Sequence, residues 1–268
     1  MTTRVVHLLH IGYSEPTASA IEPGFVLLDN RANPRPDWYE VWPIRDWLRT
    51  ESLDELALYG FFSPKFRVKA GLGAAQLRAF AGANPQAELL LISPQPDVGM
   101  PFRSVFHGGE RFNPGFMASA QSVLDRADSG VNLRQVVMDS RVAVFSNYLL
   151  ATPRFWRQWL GWVDVLMAMA DAGESGLTGA TSYGDGVPRK VFVAEGFASL
   201  LAWGGGYRTA ALSPFAVPWF SQFSGFREAL IELDALKMAY RDTGRSEYIA
   251  SFDVRSESLI QAALRRTT

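Results

Sequence analysis

The chain has no cysteine in its 268 residues. That excludes disulfide frameworks and thiolate metal sites, and it fits a cytoplasmic location. Histidine is scarce as well. His7, His10 and His107 are the three present, and nothing in their spacing builds a hydrolase triad; no G-x-S-x-G occurs either. His7 and His10 stand three apart in a stretch that reads as a strand, so they face opposite ways and cannot share an ion. No D-x-D occurs anywhere, so the paired-aspartate motif for Mg²⁺ or Mn²⁺ is missing. A P-loop is absent too. Gly71-Leu72-Gly73-Ala74-Ala75-Gln76 approaches the dinucleotide fingerprint, but Gln76 takes the third glycine position, and the segment reads as a helix-opening turn. No apolar run approaches the ~18 residues of a spanning helix. With a formal net charge of -1 there is no excess basicity for nucleic acid.

What is present is a chain built to fold. It is 48% hydrophobic and 20% charged, enough apolar material for a core and too little charge for wholesale disorder. Residues 5–11 read as a buried strand. The Ala18-Ser19-Ala20 that follows resembles a signal-peptide cleavage site, but the apolar run before it is short and carries two histidines. Further strands are expected at 24–28, 56–62, 89–92, 142–150 and 207–212. Helices are expected from Pro43 to Thr50, at 74–81, 115–127, from Thr152-Pro153 to before Gly173, from Pro188 to Trp203, at 225–243 and from Glu247 onward. Thr152 has the character of an N-cap with Pro153 at the first helical position, and Gly244 that of a C-cap. Strands alternating with helices indicate an α/β layer architecture. Residues 1–268 read as a single α/β domain with a helical C-terminal extension from about 225.

Four places carry groups that do not belong in a core. Residues 27–45 set Asp29, Asn30, Arg31, Asn33, Arg35, Asp37, Glu40 and Arg45 among Trp38, Tyr39 and Trp42. Prolines at 34, 36 and 43 fix the backbone there. Such a loop is either a surface turn or a rigid holder for a polar ligand. Asp97 follows a strand, at the end where ligands of open α/β sheets gather, or is a solvated loop residue. Asp139-Ser140-Arg141 and Ser146-Asn147-Tyr148 put polar groups around a strand, as an internal network or as a ligand-facing patch. Glu195 interrupts the apolar stretch 191–198. Burial would raise its pKa and make it a general base; pointing outward it would be an ordinary helix glutamate.

The segments LLDNRANPRPDWYEVWPIRDWL, LYGFFSPKF with KAGL, AELLLISPQPD, MDSRVAVFSNYLLATPRFW and VPRKVFVAEGFASLL occur in this order. Together they resemble an uncharacterised bacterial family met near surface-polysaccharide genes. More distantly, the order is similar to small GT-A-like glycosyltransferases, whose features align with Asn33-Pro34 and Glu40, Tyr59-Gly60 through Phe66, Ile92-Ser93-Pro94, Asn147-Tyr148-Leu149, and Glu195. Two departures stand out: the D-x-D is missing, and Gly196 occupies the place of an arginine. The resemblance implies a three-layer α/β sandwich with a mostly parallel sheet, GT-A-like, of the nucleotide-diphospho-sugar transferase type. It implies transfer of a sugar from a nucleotide-sugar donor to a saccharide acceptor in surface polysaccharide synthesis. Asp29, Asn30, Arg31, Lys65 and Lys69 would bind the donor, and Asp139, Arg141 and Asn147 the acceptor. Glu195 or Asp97 would be the base, and Asp97 a single ligand for Mn²⁺ or Mg²⁺ arriving with the nucleotide-sugar. The other reading is a non-catalytic nucleotide- or glycan-binding protein on the same fold.

Overall fold

The computed structural model describes residues 4–184 and 186–266. In chain order the elements are β1 (Val6–Gly12), α1 (Glu15–Ser19), β2 (Val26–Asp29), α2 (Val41–Thr50), β3 (Leu58–Phe62), α3 (Phe66–Ala70), α4 (Ala74–Ala83) and β4 (Leu89–Leu91). They continue with α5 (Pro96–Gly99), α6 (Val105–Phe112), α7 (Phe116–Arg126), β5 (Leu149–Ala151), α8 (Pro153–Asp171), α9 (Arg189–Gly204), β6 (Thr209–Ala211), α10 (Arg227–Thr243) and α11 (Ser246–Leu264).

The six strands form one sheet in the order β2-β1-β3-β5-β4-β6. The pairs β1–β2, β1–β3 and β4–β6 are parallel, whereas β5 runs antiparallel to both β3 and β4. The sheet is therefore mixed, with one reversed strand inside it rather than at its rim. The reversal has a use. It brings the residues before β5 to the same edge as the carboxyl ends of the other strands.

Helices cover both faces because alternate strand residues are apolar on each side. Leu9 and Ile11 of β1 join a core with Trp38, Ile44, Trp156, Trp159 and Phe197, under α2, α7, α8 and α9. Val6 and Leu8 face the other way, into Phe62, Phe66, Leu77 and Leu150 under α3 and α4. The stretch with a cleavage-site look thus follows an interior strand. A third cluster joins Met100 and Phe102 to Phe223, Leu230, Leu233, Phe252 and Ile260, and anchors the α10–α11 hairpin. Gly244 closes α10 at φ 70°, the left-handed C-cap expected of it.

Three local expectations need correction. The strand expected over 142–150 is formed only at Leu149–Ala151. Ahead of it the Val142 and Ala143 amides both turn back to the Asp139 carbonyl, at 3.1 and 3.0 Å, and Ser146 and Asn147 take positive φ, so this backbone cannot run extended. Thr152 opens α8 with Pro153 inside it, but its hydroxyl makes no capping bond and is buried without a partner. Helices α1, α3, α5 and α6 fall where no helix was expected, since each is too short to carry a readable apolar stripe.

Candidate functional site at the carboxyl edge of the sheet

The chain winds from β1 to β2 on one side and then returns across β1 to place β3 on the other. A crevice opens at such a reversal, between the carboxyl ends of the two diverging strands. Tyr13 follows β1 there, Ser63 follows β3, and the reversed β5 delivers Ser146, Asn147 and Tyr148 to the same edge. The Ser63 and Tyr148 hydroxyls are hydrogen-bonded at 2.6 Å, with both residues buried.

Glu195 reaches this edge from α9. Its Oε2 accepts a hydrogen bond from the Ser146 amide at 3.2 Å, and the Ser146 hydroxyl oxygen accepts one from Lys69 Nζ at 2.8 Å. Ser146 therefore bridges a carboxylate and an ammonium. Glu195 keeps limited solvent access but is surrounded on most sides. Desolvation, reinforced by the negative charge of Glu40, pushes its carboxyl up to about 7; Lys69 and the Ser146 amide act in the opposite direction. Glu40 also raises the phenols of Tyr13 and Tyr148, after desolvation as the first cause for each, and Tyr183 adds to the effect on Tyr148. Glu40, Glu195, Tyr13, Tyr148, Tyr183 and Lys69 thus share one electrostatic neighbourhood.

The backbone here is held out of its preferred conformations. Tyr39 has φ 48° and ψ -129°, and Ser146 and Asn147 have φ 60° and 52°. Asn33 and Gln95, also at positive φ, lie on the same sheet edge. Strain of this kind costs ~1–3 kcal/mol per residue and persists only where the surroundings dictate it. Around Tyr39 they do. Lys190, at the start of α9, pairs with Asp37 and lies 4.3 Å over the Trp38 ring; Arg35 joins Asp37 to Asp171. This fixes the turn that presents Glu40. Several buried polar atoms at this edge have no partner: the Tyr13 hydroxyl, Asn147 Oδ1 and Trp38 Nε1. Such atoms await a water or a ligand.

The expected site residues divide into two groups. Glu195, Lys69 and Asn147 come together here, and Lys65 stands exposed at the rim. Asp29 and Arg31 lie on an exposed turn and satisfy each other: Arg31 holds the Asp29 carboxyl down to about 2 and also pairs with Glu15. Asn30 is buried and donates to Asn33 Oδ1 at 3.3 Å. Asp97 is wholly buried beneath residues 213–226; Oδ2 accepts the Ser221 amide at 2.7 Å and Oδ1 has no partner. Asp139 and Arg141 belong to a different structure. Asp139 takes bonds from Arg141 and Arg241, Arg141 also pairs with Asp242, and together they fasten α10 to the body. Beside them a cavity of about 10 Å³ is lined by Asp139, Asp234, Lys237 and Phe145, room for about one water. Asn30, Lys65 and Asp97 share the sheet edge, but Asp97 does not face the crevice.

Among the described residues no three carboxylates or histidines are grouped to hold a metal ion. Asp97 is in no such group. No helix among them is long and apolar enough to cross a membrane. Gly196 has a packing reason for standing in the place of an arginine: a Cβ there would fall 2.4 Å from the Phe106 ring. Tyr13 and Tyr183 carry no role in the sequence reading, whereas Glu40, Ser146 and Tyr148 stand there within candidate polar segments without a role of their own. Tyr13 lies just beyond β1, Glu40 just ahead of α2, Ser146 and Tyr148 just ahead of the reversed β5, and Tyr183 between α8 and α9. Compared with known families, curated proteins and solved structures, the chain finds no match, so the site's chemistry rests on its geometry.

Proposed function

We propose that this crevice transfers a sugar from a nucleotide-sugar donor to a hydroxyl of a saccharide acceptor, with Glu195 as the general base. The observation that carries the reading is Glu195 itself, a carboxyl poised near neutrality at the ligand-binding edge of an α/β sheet. A base is most effective when its pKa lies close to the working pH. The acceptor hydroxyl gives its proton to Glu195 while its oxygen bonds to the anomeric carbon. The bond from that carbon to the diphosphate oxygen breaks, and the diphosphate leaves with the electron pair. Lys65, exposed and in no ion pair among the described residues, and Lys69, held by Ser146, would receive the growing negative charge. The Ser63–Tyr148 pair and the Tyr13 hydroxyl supply neutral hydrogen-bonding groups for sugar hydroxyls. The three-layer arrangement and the site's place at the strand ends support a GT-A-like fold, and the order of the resembling segments supports polysaccharide synthesis as the setting.

Thermal denaturation with UDP-, GDP- and CMP-sugars tests the donor class. A ligand at ~100 times its dissociation constant stabilises by ~2.7 kcal/mol, a rise of several degrees for a chain of this size. Sugar transfer to an acceptor oligosaccharide then tests the reaction. Saturable stabilisation without turnover would assign the crevice to non-catalytic binding. No stabilisation by any nucleotide-sugar would remove the donor assignment.

A further inference from the structure

We propose that the face formed by residues 213–226 and the adjoining helix α3 docks on an anionic lipid surface, beside the mouth of the crevice. Residues 213–226 follow β6 and carry Pro214, Phe215, Pro218, Trp219 and Phe220. Phe215 and Phe220 are 56% and 49% exposed. Nothing in the fold needs them outside, and the loop is too firmly held for the exposure to be incidental. The Trp219 indole donates to the Pro214 carbonyl at 2.7 Å, and the Ser221 amide is fixed by buried Asp97. Phe223 is anchored in the C-terminal core. Phe215 and Trp219 stack with ring centres 6.0 Å apart, and the Arg227 guanidinium lies 4.3 Å over Trp219. The result is a rigid ridge of aromatic rings and prolines pointing into solvent.

The neighbouring surface continues the pattern. Pro218 lies against Gly71, the residue that ends α3. On α3, Val68 is 79% exposed, between Arg67 and Lys69 in the chain. The two chain segments that build this face carry positive charge, with Glu228 following directly after the second. Residues 56–87 and 213–227 contain no aspartate or glutamate, while the first of these runs holds Lys65, Arg67, Lys69 and Arg78. Arg67 is offset by Glu22 from the neighbouring β1–β2 connection. Arg227 lies over Trp219 and Arg266 lies 4.4 Å over Phe226, and neither pairs with a carboxylate among the described residues. Aromatic rings with an apolar body settle at the level of lipid headgroups, and flanking arginine and lysine attract anionic lipid. Exposed Phe215, Phe220 and Val68 set beside Lys65, Arg227 and Arg266, none in an ion pair among the described residues, match a surface that is at once apolar beneath and negative above, which is an anionic lipid surface.

Co-sedimentation with vesicles of phosphatidylcholine, alone and with phosphatidylglycerol added, tests the proposal. The full-length protein is expected to pellet with the mixed vesicles, to stay in solution with phosphatidylcholine alone, and to be released by high salt. The double variant Phe215→Ser, Phe220→Ser should lower partitioning about tenfold. Arg227→Glu should lower it through charge, without removing an exposed ring. All three positions are at the surface, so an unchanged melting temperature would confirm that folding is intact. Failure of the wild type to bind the mixed vesicles, or unchanged binding by both variants, overturns the proposal. So does sedimentation velocity showing a dimer that the double variant disperses, because the ridge would then be an interface between two copies of the chain. None of these readings depends on sugar transfer.

Discussion

Glu195→Gln should stabilise the protein at alkaline pH while abolishing transfer. The native carboxyl titrates at about 7 against an ordinary value of 4.5. At about 1.4 kcal/mol per pH unit, the ionised form is penalised by roughly 3 kcal/mol in the folded state. The native pKa lies above the unfolded one, so the native state holds the proton more tightly. Stability from this group is complete below about pH 4.5, declines as pH rises toward about 7, and is constant above that. Glutamine carries no charge at any pH and can still accept the Ser146 amide. Glu195 retains some contact with solvent, so the full penalty is discounted, and the variant should gain about 1–2 kcal/mol at pH 8 and nothing near pH 4.5. Urea denaturation of both proteins at the two pH values measures this, and a sugar-transfer assay should show a loss of ~100-fold or more. An equal loss of stability at both pH values would mean that Glu195 is a structural anchor, and would refute its role as a poised base.

Lys69→Met should raise the Glu195 titration further by removing the one cation that lowers it; the acidic limb of the pH–rate profile should move upward, and an unmoved limb would disconnect the two groups. Tyr183 is 61% exposed and close enough to raise the Tyr148 phenol, so Tyr183→Ala should raise the acceptor KM about tenfold with no change in melting temperature; a drop in melting temperature would make it a packing residue. Asn147 sits at φ 52°, so Asn147→Ala should cost about 1 kcal/mol more than Asn147→Gly in chemical denaturation. Equal costs would show that the amide, rather than the backbone, is what matters there.

The fold was legible where one periodicity ruled. Residues 5–11 alternate between two cores, 115–127 carry a clean stripe, Pro153 and Pro188 mark helix starts by the φ their rings impose, and Gly244 marks a helix end by the left-handed φ that only a residue without Cβ takes freely. It was illegible where backbone angles depart from what side chains favour. Nothing about Ser146 in sequence announces φ 60°, and without that turn 142–150 reads as one strand. The site divides the same way. Glu195 stood out because a carboxylate in an apolar helix needs an explanation. Asp139 and Arg141 stood out for the same reason, yet they are explained by Arg241 and Asp242 on α10, about a hundred residues away in the chain. Sequence signals that a polar group is buried, but not which distant element answers it. Tyr13 went unassigned because a tyrosine after a strand is ordinary alone, and Glu40 was legible only as one polar group among several in residues 27–45.

The contrast between the two polar clusters argues for function at one of them. Around Asp139 the charges are answered: Arg141 and Arg241 meet its carboxylate, and Lys237 donates to the carbonyls of Gly99 and Phe102 at 3.2 and 3.0 Å. That is how a fold closes a buried network when only stability is at stake. Around Glu195 it is left open. A carboxyl is raised by desolvation and by a second carboxylate, two tyrosine hydroxyls share its surroundings, and the Tyr13 hydroxyl and Asn147 Oδ1 have no partner among the described residues. Tyr39, Ser146 and Asn147 hold strained backbone there at ~1 kcal/mol or more apiece. Together these costs are a sizeable share of the 5–15 kcal/mol that typically separates folded from unfolded chains. A chain that can satisfy one buried network so completely has the means to satisfy the other. The unpaired groups at the strand ends are best understood as bonds reserved for a ligand, and the raised carboxyl as one reserved for a proton.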